Sequence, residues 1–480
     1  MKVLLVNPPY DIEEYYGKLS KIAFTFAPVG LLYLAASARS AGHEVKIYDF
    51  QVDEDDFRKI FLEFSPDITG ITCQTALVYN TLKLAELIKS LKDIPVVAGG
   101  VHPSFRPGDL VSDKNIDFVI KGEGEIALGE LIQAITGKLD LSQVKGLVYK
   151  RDGRITENPD RELLKDINTL PFPALDLVPI DKYHVSSDLY FGRRTALLAT
   201  ARGCPFRCSF CAIRVIFART IRYRTLDNIF AEIDYYVNNH KIDSLFIIDD
   251  VFTLDKDRVR KFCDYMIERH AGKLSWWAQT RADCIDKDTL SLMKSAGCKI
   301  LSFGVESGVG RLLKLINKDI DLQEIKKAVR LVKKSGISPR GSFILGLPTE
   351  TLSDSLRTIF FALSNPFNRI KIGLATPYPG TELWELAVRE GKIKDEEDWN
   401  RFTQMAGYTH HELPYLSDHR GVLELKALQI IGNFVFYFKP DIIWDIFKTY
   451  YRLGSLRKLF KSAKIFLNAT IMSLKNSLVR

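Results

Sequence analysis

Three of the seven cysteines lie within eight residues of one another, in the stretch Arg202-Gly203-Cys204-Pro205-Phe206-Arg207-Cys208-Ser209-Phe210-Cys211. The spacing C-x3-C-x2-C allows three thiolates on one loop to converge on a single metal centre. Three ligands rather than four leave one iron of a cubane cluster open for a further ligand. The stretch follows an apolar run at 196–200 that is predicted to be a buried strand. Reactive loops in barrel and α/β enzymes stand at such carboxyl ends of strands.

Other uses of this cysteine group are less well supported. A disulfide requires an even number of cysteines and an oxidising compartment, and no feature of the sequence indicates secretion. A zinc site needs a fourth ligand, but no histidine lies between His184 and His240 and the next cysteine is Cys263. The cysteines outside the group stand singly in or beside apolar segments, as expected of core thiols: Cys73, Cys263, Cys284 and Cys298. The spacing therefore favours an iron–sulfur cluster.

Composition sets the class of protein in which this site must stand. The 480 residues are enough for about two to four domains with large cores. Hydrophobic residues make up 46% and charged residues 26%, as in ordinary soluble proteins. No apolar run approaches the roughly 20 residues of a membrane-spanning helix, and the first residues, interrupted by Pro8 and Pro9, do not resemble a signal peptide. We therefore expect a cytoplasmic protein.

The net charge of +8 is concentrated at the C-terminus. Residues 446–480 contain eight basic residues and no acidic ones, so residues 1–445 are close to neutral and nucleic-acid binding is not expected. Apolar residues recur there at helical steps, between basic ones: Leu456, Leu459, Phe460, Ala463, Leu467, Ile471, Leu474 and Leu478. Such a helix either contacts the inner membrane surface peripherally or packs on the protein's own core.

Residues 1–145 alternate short β-rich runs with helical patterns, which indicates a parallel sheet with crossover helices. Strands are predicted at 3–6, 44–48, 68–72, 96–98 and 118–120, and helices at 28–41, 54–64, 78–91 and after residue 125. This order predicts an α/β, doubly wound, Rossmann-like domain with its ligand over the carboxyl ends of the strands. Because no G-x-G-x-x-G opens a helix, a nicotinamide cofactor is not expected.

Four loops at that edge of the predicted sheet are candidates for ligand contact. Glycines in two of them, at 99–100 and 122–124, would let a flat ligand approach the backbone closely. The candidate residues are Asn7, Pro8, Thr72, Gly99, Gly100, His102, Gly122, Glu123 and Gly124.

The rest of the chain is predicted to hold a connector, a second α/β domain and a helical region. Residues 146–190 form the connector, with a hairpin around Asp152-Gly153. Residues 191–385 repeat strand and helix six times, with strands predicted at 196–200, 245–248, 274–278, 300–303, 342–345 and 370–375. Six such units give a partial, TIM-like (β/α)6 barrel with its site at the carboxyl ends of the strands. Residues 386–480 are predicted to be mostly helical.

Polar side chains follow several of these barrel strands. Asp249 and Asp250 follow the second strand, where adjacent carboxylates are costly without partners, although they could also cap the next helix. Arg281 follows the third strand and could bind a carboxylate bidentately or form a structural ion pair near Asp283. The candidate set is completed by Phe210 beside the cysteines and by Glu306, Ser307 and Leu345 at strand ends.

The cysteine motif resembles that of the radical S-adenosylmethionine (SAM) enzymes. Together with the upstream domain, it resembles their cobalamin-binding branch, which includes class B radical methyltransferases and the anaerobic magnesium-protoporphyrin ester cyclase. The resemblance implies a [4Fe-4S] cluster on Cys204, Cys208 and Cys211, and cobalamin on the loops of residues 1–145. It implies SAM contacts from the group Phe210, Asp249, Asp250, Arg281, Glu306, Ser307 and Leu345. The resemblance implies no catalytic residue beyond the cofactors. It does imply an external electron donor of the ferredoxin or flavodoxin type.

The first loop departs from one pattern of cobalamin domains. Many carry Asp-x-His-x-x-Gly after the first strand, with the histidine on cobalt, whereas this loop reads Asn7-Pro8-Pro9-Tyr10-Asp11. The resemblance therefore implies cobalamin without a histidine on its lower face. His102 is a candidate contact to the corrin edge or nucleotide tail, or it merely closes a turn.

The sequence is compatible with three functions. The favoured one is methylation of an unactivated carbon of a small molecule or lipid, in which one SAM supplies the radical and a second one the methyl group. The alternative is a radical cyclisation or rearrangement without methylation. A cobalamin-binding regulator with a vestigial barrel belongs to another class, and the intact cysteine triplet argues against it.

Replacing Cys204, Cys208 or Cys211 by Ala should remove iron and the broad absorption at about 400 nm expected of such clusters, because each change deletes a thiolate ligand. Iron analysis and visible spectroscopy of the reconstituted protein provide the measurement. Ala at Cys263 or Cys298 is the control and should leave iron content unchanged. Full iron content in any triplet variant would contradict the assignment.

Overall fold

The computed structural model describes residues 1–10, 25–183, 194–394, 398–409, 412–418, 420–452 and some positions between 456 and 471. These residues form two large β-sheets with flanking helices, followed by a helical region.

The first sheet has the strand order β2-β1-β3-β4-β5-β6-β7. Its strands are β1 Lys2–Asn7, β2 Glu44–Asp49, β3 Ile68–Thr72, β4 Val96–Gly99, β5 Phe118–Ile120, β6 Leu147–Arg151 and β7 Arg154–Glu157. β1 to β5 run parallel, with β2 and β3 on opposite sides of β1. The strand order therefore reverses at β1, which opens a crevice at the carboxyl ends of β1 and β3. The predicted doubly wound domain is confirmed.

Helices cover both faces of this sheet, and the predicted hairpin extends it. The helices are α1 Val29–Ser40, α2 Phe57–Phe64, α3 Val78–Leu91, α4 Val101–Phe105, α5 Gly108–Val111 and α6 Gly124–Ile135. The hairpin around Asp152 and Gly153 forms β6 and β7, and β6 pairs antiparallel with β5. Part of the predicted connector thus belongs to the first sheet, which continues to Glu157.

The second sheet is a partial barrel of six parallel strands in the order β15-β14-β13-β12-β11-β8. These strands are β8 Thr195–Leu198, β11 Ser244–Ile247, β12 Ser275–Thr280, β13 Cys298–Glu306, β14 Ser338–Leu345 and β15 Arg369–Leu374; the short strands β9 Ala201–Arg202 and β10 Arg222–Tyr223 form a separate antiparallel pair. The intervening helices are α7 Ile213–Ile216, α8 Leu226–His240, α9 Lys256–His270, α10 Lys287–Ser295, α11 Gly310–Leu315, α12 Leu322–Lys334, α13 Leu352–Ser364 and α14 Glu382–Arg389. The predicted order of six strand and helix units is confirmed.

Helix α12 shows why these segments are helical. The Asp321 side chain accepts a hydrogen bond from the Gln323 backbone, and Glu324 accepts one from the Asp321 backbone, so a capping box satisfies the first turn. Lys333 and Lys334 in the last turn complement the helix dipole. Apolar residues at three- and four-residue steps form one buried face: Ile325, Ala328, Val329 and Val332.

The C-terminal region covers the open edge of the barrel beside β15. It contains α15 Val422–Tyr437 and α16 Pro440–Arg452. Asn433 accepts a hydrogen bond from the backbone N–H of Ile372 at 3.1 Å, and Gln429 donates one to the carbonyl of Ile372 at 3.0 Å. Side chains of α15 therefore satisfy backbone groups that an edge strand would leave unpaired.

The structure contains no helix, among the described residues, that is long and apolar enough to cross a membrane. About half of the basic tail at 446–480, including residues 472–480, lies outside the described residues.

The two sheets are held together by side chains as well as by the connector. Phe105, the last residue of α4, lies so close to Gly380 after β15 that a Cβ at Gly380 would overlap its ring. Gly380 also has a φ of +80°, a conformation that favours glycine.

Gly380→Ala should destabilise the protein more than Gly391→Ala does. Gly391 has a similar φ of +68° but no atom within 4 Å of an added Cβ, so both variants carry about 1–3 kcal/mol of backbone strain. Only the first also forces Phe105 aside, which adds about 1–3 kcal/mol. Denaturant unfolding curves provide the measurement, and equal losses in the two variants would contradict the close contact.

Candidate active site

The three cysteines stand on a loop closed by the β9–β10 pair, beyond the carboxyl end of β8. Arg202 in β9 lies opposite Arg222 in the antiparallel strand β10, so the two ends of the loop are held side by side by backbone pairing. Gly203 has a φ of +95°, and a Cβ there would overlap the carbonyl oxygen of Thr220, so only glycine fits. Cys204, Cys208 and Cys211 are partly exposed, and none is in a disulfide.

The backbone of this loop is tied to the barrel mouth. Ser209 donates its N–H to the carbonyl of Ile316 at 3.0 Å and accepts from the N–H of Leu383 at 3.1 Å. The described part of the chain holds no group of three His, Cys, Asp or Glu side chains that closes around one metal ion. A cubane cluster makes a different demand, because each thiolate binds its own iron. Three accessible thiols on one anchored loop fit that demand.

Charged side chains lie near the thiols: the cations Lys318 and Arg281, and the carboxylates Asp250 and Glu306. Burial raises the pKa of Cys208, while Lys318 and Arg281 act in the opposite direction. Burial also raises the pKa of Cys204, and the charge of Asp250 adds to that shift. Iron binding has to displace these protons, and the nearby cations favour the thiolate that results.

Two of the three guanidinium nitrogens of Arg281 are engaged within the chain, while Nη1 has no hydrogen-bond partner among the described residues. Its guanidinium donates to both carboxylate oxygens of Asp283, at 3.1 and 2.9 Å, and to the carbonyl of Lys318 at 2.9 Å. It also lies 3.7 Å from the centroid of the Phe206 ring, within the cysteine loop. Of the two roles expected for Arg281, the structure contains the ion pair with Asp283, and this pair supports the loop.

Glu306 ends β13 in a strained conformation, with a φ of +66°. Its carboxylate accepts from the ammonium of Lys318 at 3.1 Å, and both side chains are buried. A Cβ at Gly304 would collide with the carboxylate of Glu306 and lie 2.9 Å from Lys318 Nζ, so glycine at 304 makes room for the pair. Lys318 was not foreseen from the sequence, because nothing in the residues around it marks its partner.

The two adjacent aspartates behave differently. Asp249 accepts from the backbone N–H groups of Thr200 and Ala201, at 2.7 and 3.1 Å, and from the Thr200 hydroxyl. It thereby fixes the chain that leads into the cysteine loop. Asp250 lines a cavity, and no described group donates a hydrogen bond to it. Burial raises the pKa of each to about 6, and for Asp250 the charge of Asp249 adds to the effect.

The remaining barrel candidates are buried or half-buried among other side chains. Ser307 is fully buried, lies 3.1 Å from the Thr358 hydroxyl and accepts from the N–H of Val309 at 3.2 Å. Leu345 is buried at the end of β14, and Phe210 packs half-buried against the core. The loop after β14 is clamped by Arg420, which donates to Ser355 at 3.0 Å and lies 3.7 Å from Glu350.

A cavity of about 450 Å³ lies between the first sheet and the cysteine loop. Six of the nine candidates of the N-terminal domain line it: Thr72, Gly99, Gly100, Gly122, Glu123 and Gly124. From the barrel side it is lined by Arg202, Gly203, Ile213, Ile216, Phe217, Ile248 and Asp250. The cavity is therefore shared by the carboxyl edges of both sheets, and the residues of α7 in its wall were missed in the sequence.

The other three N-terminal candidates do not line this cavity. Asn7 is buried and donates to Asp49 Oδ1 at 2.8 Å, while Tyr183 donates to the other oxygen of Asp49 at 2.9 Å. Its neighbour Pro8 is also buried. His102 is fully buried in α4, where Nε2 lies 3.1 Å from Asp109 and the ring packs edge-on against Trp399.

One carboxylate connects the N-terminal edge of the cavity with the stem of the cysteine loop. Glu123 Oε1 accepts from Arg202 at 2.8 Å and from Arg222 at 2.9 Å, and Oε2 accepts from Arg222 at 2.8 Å and from the Leu164 N–H at 2.9 Å. Arg202 also donates to Glu125 at 2.6 Å. Burial would raise the pKa of Glu123, but the hydrogen bonds from Arg222 and Arg202 outweigh it and hold that pKa below its ordinary value.

Comparison with known proteins agrees with this geometry. The profile of the Radical SAM superfamily matches residues 198–362, and that of the B12 binding domain matches residues 18–132. An uncharacterized methyltransferase of Pyrococcus horikoshii is 34% identical over 93% of this chain and 95% of that protein. The anaerobic magnesium-protoporphyrin IX monomethyl ester cyclase of Rubrivivax gelatinosus is 28% identical over 84% of this chain and 73% of that protein.

A solved structure shares the same fold. The radical S-adenosylmethionine methyltransferase TsrM from Kitasatospora setae, with cobalamin and a [4Fe-4S] cluster bound, aligns with a TM-score of 0.66 and 21% identity, over 84% of this chain and 82% of that one. The Pyrococcus relative matches along nearly its whole length, and the two domain matches coincide with the two sheets that face the cavity. The chain therefore belongs to the branch of the radical SAM superfamily that has an N-terminal B12-binding domain, an enzyme family whose cofactors are a [4Fe-4S] cluster, S-adenosylmethionine and cobalamin.

Proposed function

We propose that this enzyme methylates an unactivated carbon of a small molecule, with both cofactor sites acting on one substrate position. The observation that carries the proposal is the single cavity bounded by the glycine loops of the first sheet and by Gly203 and Asp250 of the barrel. A substrate between two such sites is close to a radical source and to a methyl donor at the same time. Proximity of this kind accounts for a large part of catalysis in two-component reactions.

The chain's own residues would position the cluster, SAM and cobalamin. Bound at these sites, the cluster with SAM supplies a radical that removes a substrate hydrogen, and cobalamin supplies the methyl group. Cys204, Cys208 and Cys211 would hold the cluster, and Gly99, Gly100 and the loop 122–124 would let a flat ring lie on the first sheet. The wall of the shared cavity is mainly apolar, which would keep water away from the reacting groups.

Asp250 is the acid that we assign to the SAM ammonium group. It lines the cavity, carries no hydrogen bond from a described group, and lies close enough to Cys204 for its charge to act on that thiol. Asp249 has a supporting role, because its oxygens are occupied by Thr200 and Ala201. Glu306 and Arg281 are likewise paired within the chain and would act by orienting the cysteine loop.

A radical cyclisation without methylation is the second candidate, and the similarity to the cyclase of Rubrivivax gelatinosus supports it. Either reaction needs an electron donor, for which we propose a ferredoxin or flavodoxin. A lipid substrate and peripheral contact of the basic tail with the inner membrane surface remain part of the proposal, since the tail carries eight basic residues and no acidic ones.

Asp249→Ala and Asp250→Ala should separate support of the loop from SAM binding. The first variant leaves two backbone N–H groups without an acceptor, at a cost of about 1–3 kcal/mol each, and should lower the unfolding midpoint and iron content. The second should keep iron but weaken SAM binding roughly tenfold, since a charge-assisted hydrogen bond is lost. Iron analysis and equilibrium dialysis with SAM provide the measurements. Unchanged SAM affinity in Asp250→Ala would contradict its role.

The stoichiometry of SAM use tests the reaction. An anaerobic assay with the substrate and methyl-labelled SAM should yield labelled product, 5′-deoxyadenosine and S-adenosylhomocysteine in equal amounts, because two SAM molecules serve different ends. A variant that lacks Cys208 is the control and should yield no 5′-deoxyadenosine. Substrate-dependent 5′-deoxyadenosine without labelled product or S-adenosylhomocysteine would contradict methylation and favour the cyclisation.

A further inference from the structure

We propose that the outer surface of the cysteine loop is the docking face for an acidic electron-transfer protein of the flavodoxin or ferredoxin type. The inference rests on the proposed function and deepens it, because it assigns the external electron donor to a defined surface. This surface, the donor face, consists of exposed residues of the cysteine loop, of α7 with the turn after it, and of α11: Arg207, Val215, Ala218, Arg219, Lys314 and Leu315.

The segment that follows the cysteines has one side toward the shared cavity and another toward solvent. Ile213, Ile216 and Phe217 line the cavity. Val215 and Ala218 lie next to them in the chain and are exposed instead. The inner side of the loop therefore belongs to the cofactor sites. The outer side is open to a partner that approaches the partly exposed thiols without entering the cavity.

One end of the cysteine loop carries two exposed arginines. A Cβ at Gly203 would overlap the carbonyl oxygen of Thr220, so the turn that contains Arg219 lies against the start of the loop. Arg219 has a φ of +56°, and this left-handed turn returns the chain to β10 directly after it. Arg207 lies within the loop itself, between Cys204 and Cys208.

The other end of the loop lies against α11. The N–H of Ser209 donates to the carbonyl of Ile316 at 3.0 Å. Lys314 and Leu315 directly precede Ile316, and both are exposed. Exposed cations are therefore present at both ends of the cysteine loop and between its first two cysteines.

The two segments that form the donor face are basic. Residues 202–226 contain six arginines, residues 308–318 contain one arginine and two lysines, and acidic residues begin only beyond them, with Asp227 and Asp319. Five of these cations pair with carboxylates within the chain: Arg202, Arg222, Arg224, Arg311 and Lys318.

Three of the other cations remain available to a partner. In the part of the chain that the structure describes, no carboxylate forms an ion pair with Arg207, Arg219 or Lys314. Unpaired charges on an exposed surface steer a partner of opposite charge toward it and raise the rate of association. Flavodoxins and ferredoxins are acidic proteins, so their charge is complementary to this face.

Apolar side chains lie among these cations. Val215 is 39% exposed and Leu315 is 45% exposed. Weak complexes between redox proteins bury small interfaces, below about 1,200 Å² in total, and an apolar centre with a polar rim is typical of protein interfaces. A nucleic acid matches less well, because its backbone requires an extended basic surface and residues 1–445 are close to neutral as a whole.

The step that the donor face serves is the transfer of one electron. An anionic flavin hydroquinone loses the electron and becomes the neutral semiquinone, and the cluster on the cysteine loop accepts it. No proton is released, and no bond between heavy atoms forms or breaks.

The rate at which a protein donor reduces the cluster of the full-length reconstituted enzyme tests the inference. The probes are flavodoxin hydroquinone and reduced ferredoxin, and photoreduced 5-deazariboflavin serves as an uncharged small reductant. Rapid freeze-quench electron paramagnetic resonance of the reduced cluster provides the rate. Reduction by at least one protein donor should slow down as the salt concentration rises, because salt screens the attraction, whereas reduction by deazariboflavin should not change.

Charge reversal then assigns the effect to this face. Arg219→Glu combined with Lys314→Glu should slow reduction by the protein donor roughly tenfold or more, because electrostatic steering is lost. Reduction by deazariboflavin and the iron content should stay unchanged. Lys327→Glu combined with Arg330→Glu, on the exposed side of α12, is the matched control and should behave as the wild type. Lys314→Glu alone, outside the cysteine loop, gives a second measurement if the double variant loses iron.

Equal rates of reduction by the protein donor in the wild type and in the charge-reversed variant would overturn the inference, as would an equal loss in the α12 control. Failure of both protein donors to reduce a wild-type cluster that deazariboflavin reduces would also overturn it. So would loss of binding to a labelled oligonucleotide in the charge-reversed variant with no change in reduction, since the face would then serve a nucleic acid. A failed methylation assay would leave the comparison intact, because cluster reduction is measured without substrate.

Discussion

The geometry of the site depends on the carboxylate of Glu123, which Arg202 and Arg222 contact from the two strands that close the cysteine loop. Glu123 itself stands between two glycines that line the cavity from the first sheet. Both Glu123 and Arg222 are buried, with side chains 9% and 8% exposed, so removing the carboxylate would leave the Arg222 guanidinium without its ion-pair partner, at a cost of about 3–5 kcal/mol. Such a pair adds little net stability compared with apolar packing, but it fixes where one sheet sits relative to the other.

The remainder of the site follows from bringing two carboxyl edges together. Each sheet places its loops at the edge where parallel strands end, and the interdomain contact makes the two edges face one cavity. Asp249 holds the chain before the cysteines, and Arg281 supports the loop through Phe206. Polar side chains that line strand ends are therefore divided between those that hold the loop and those, such as Asp250, that remain available to a ligand.

The sequence was sufficient for the order of elements and for the cysteine loop, because local periodicity and spacing carry that information. It identified the strand ends but not the direction of each side chain there. Asn7 and His102 stand at the predicted ends, yet each turns to an aspartate of its own domain, Asp49 or Asp109. A shift of one residue along a strand or a short helix is enough to move a side chain from one face to the other.

Partners that are distant in the sequence could not be predicted in this way. Glu123 and Arg222 are 99 residues apart and meet only after both domains have folded. In contrast, Glu306 and Lys318 are near in sequence, but their pairing depends on a positive φ and on the space that Gly304 leaves. The sequence predicted that glycines at strand ends let a ligand approach the backbone. Gly304 instead makes room for the Glu306–Lys318 ion pair.

The central claim is that the two cofactor sites face each other across one cavity that Glu123 holds in place. Electron paramagnetic resonance of the full-length enzyme, with cobalt in its paramagnetic cob(II)alamin form, tests this most directly. Reduction of the cluster should broaden or split the cobalt signal, because two spins across one cavity interact magnetically. Glu123→Ala should weaken that effect in the fraction of the protein that retains both cofactors. A cobalt signal that is indifferent to the state of the cluster in the wild type would contradict the account.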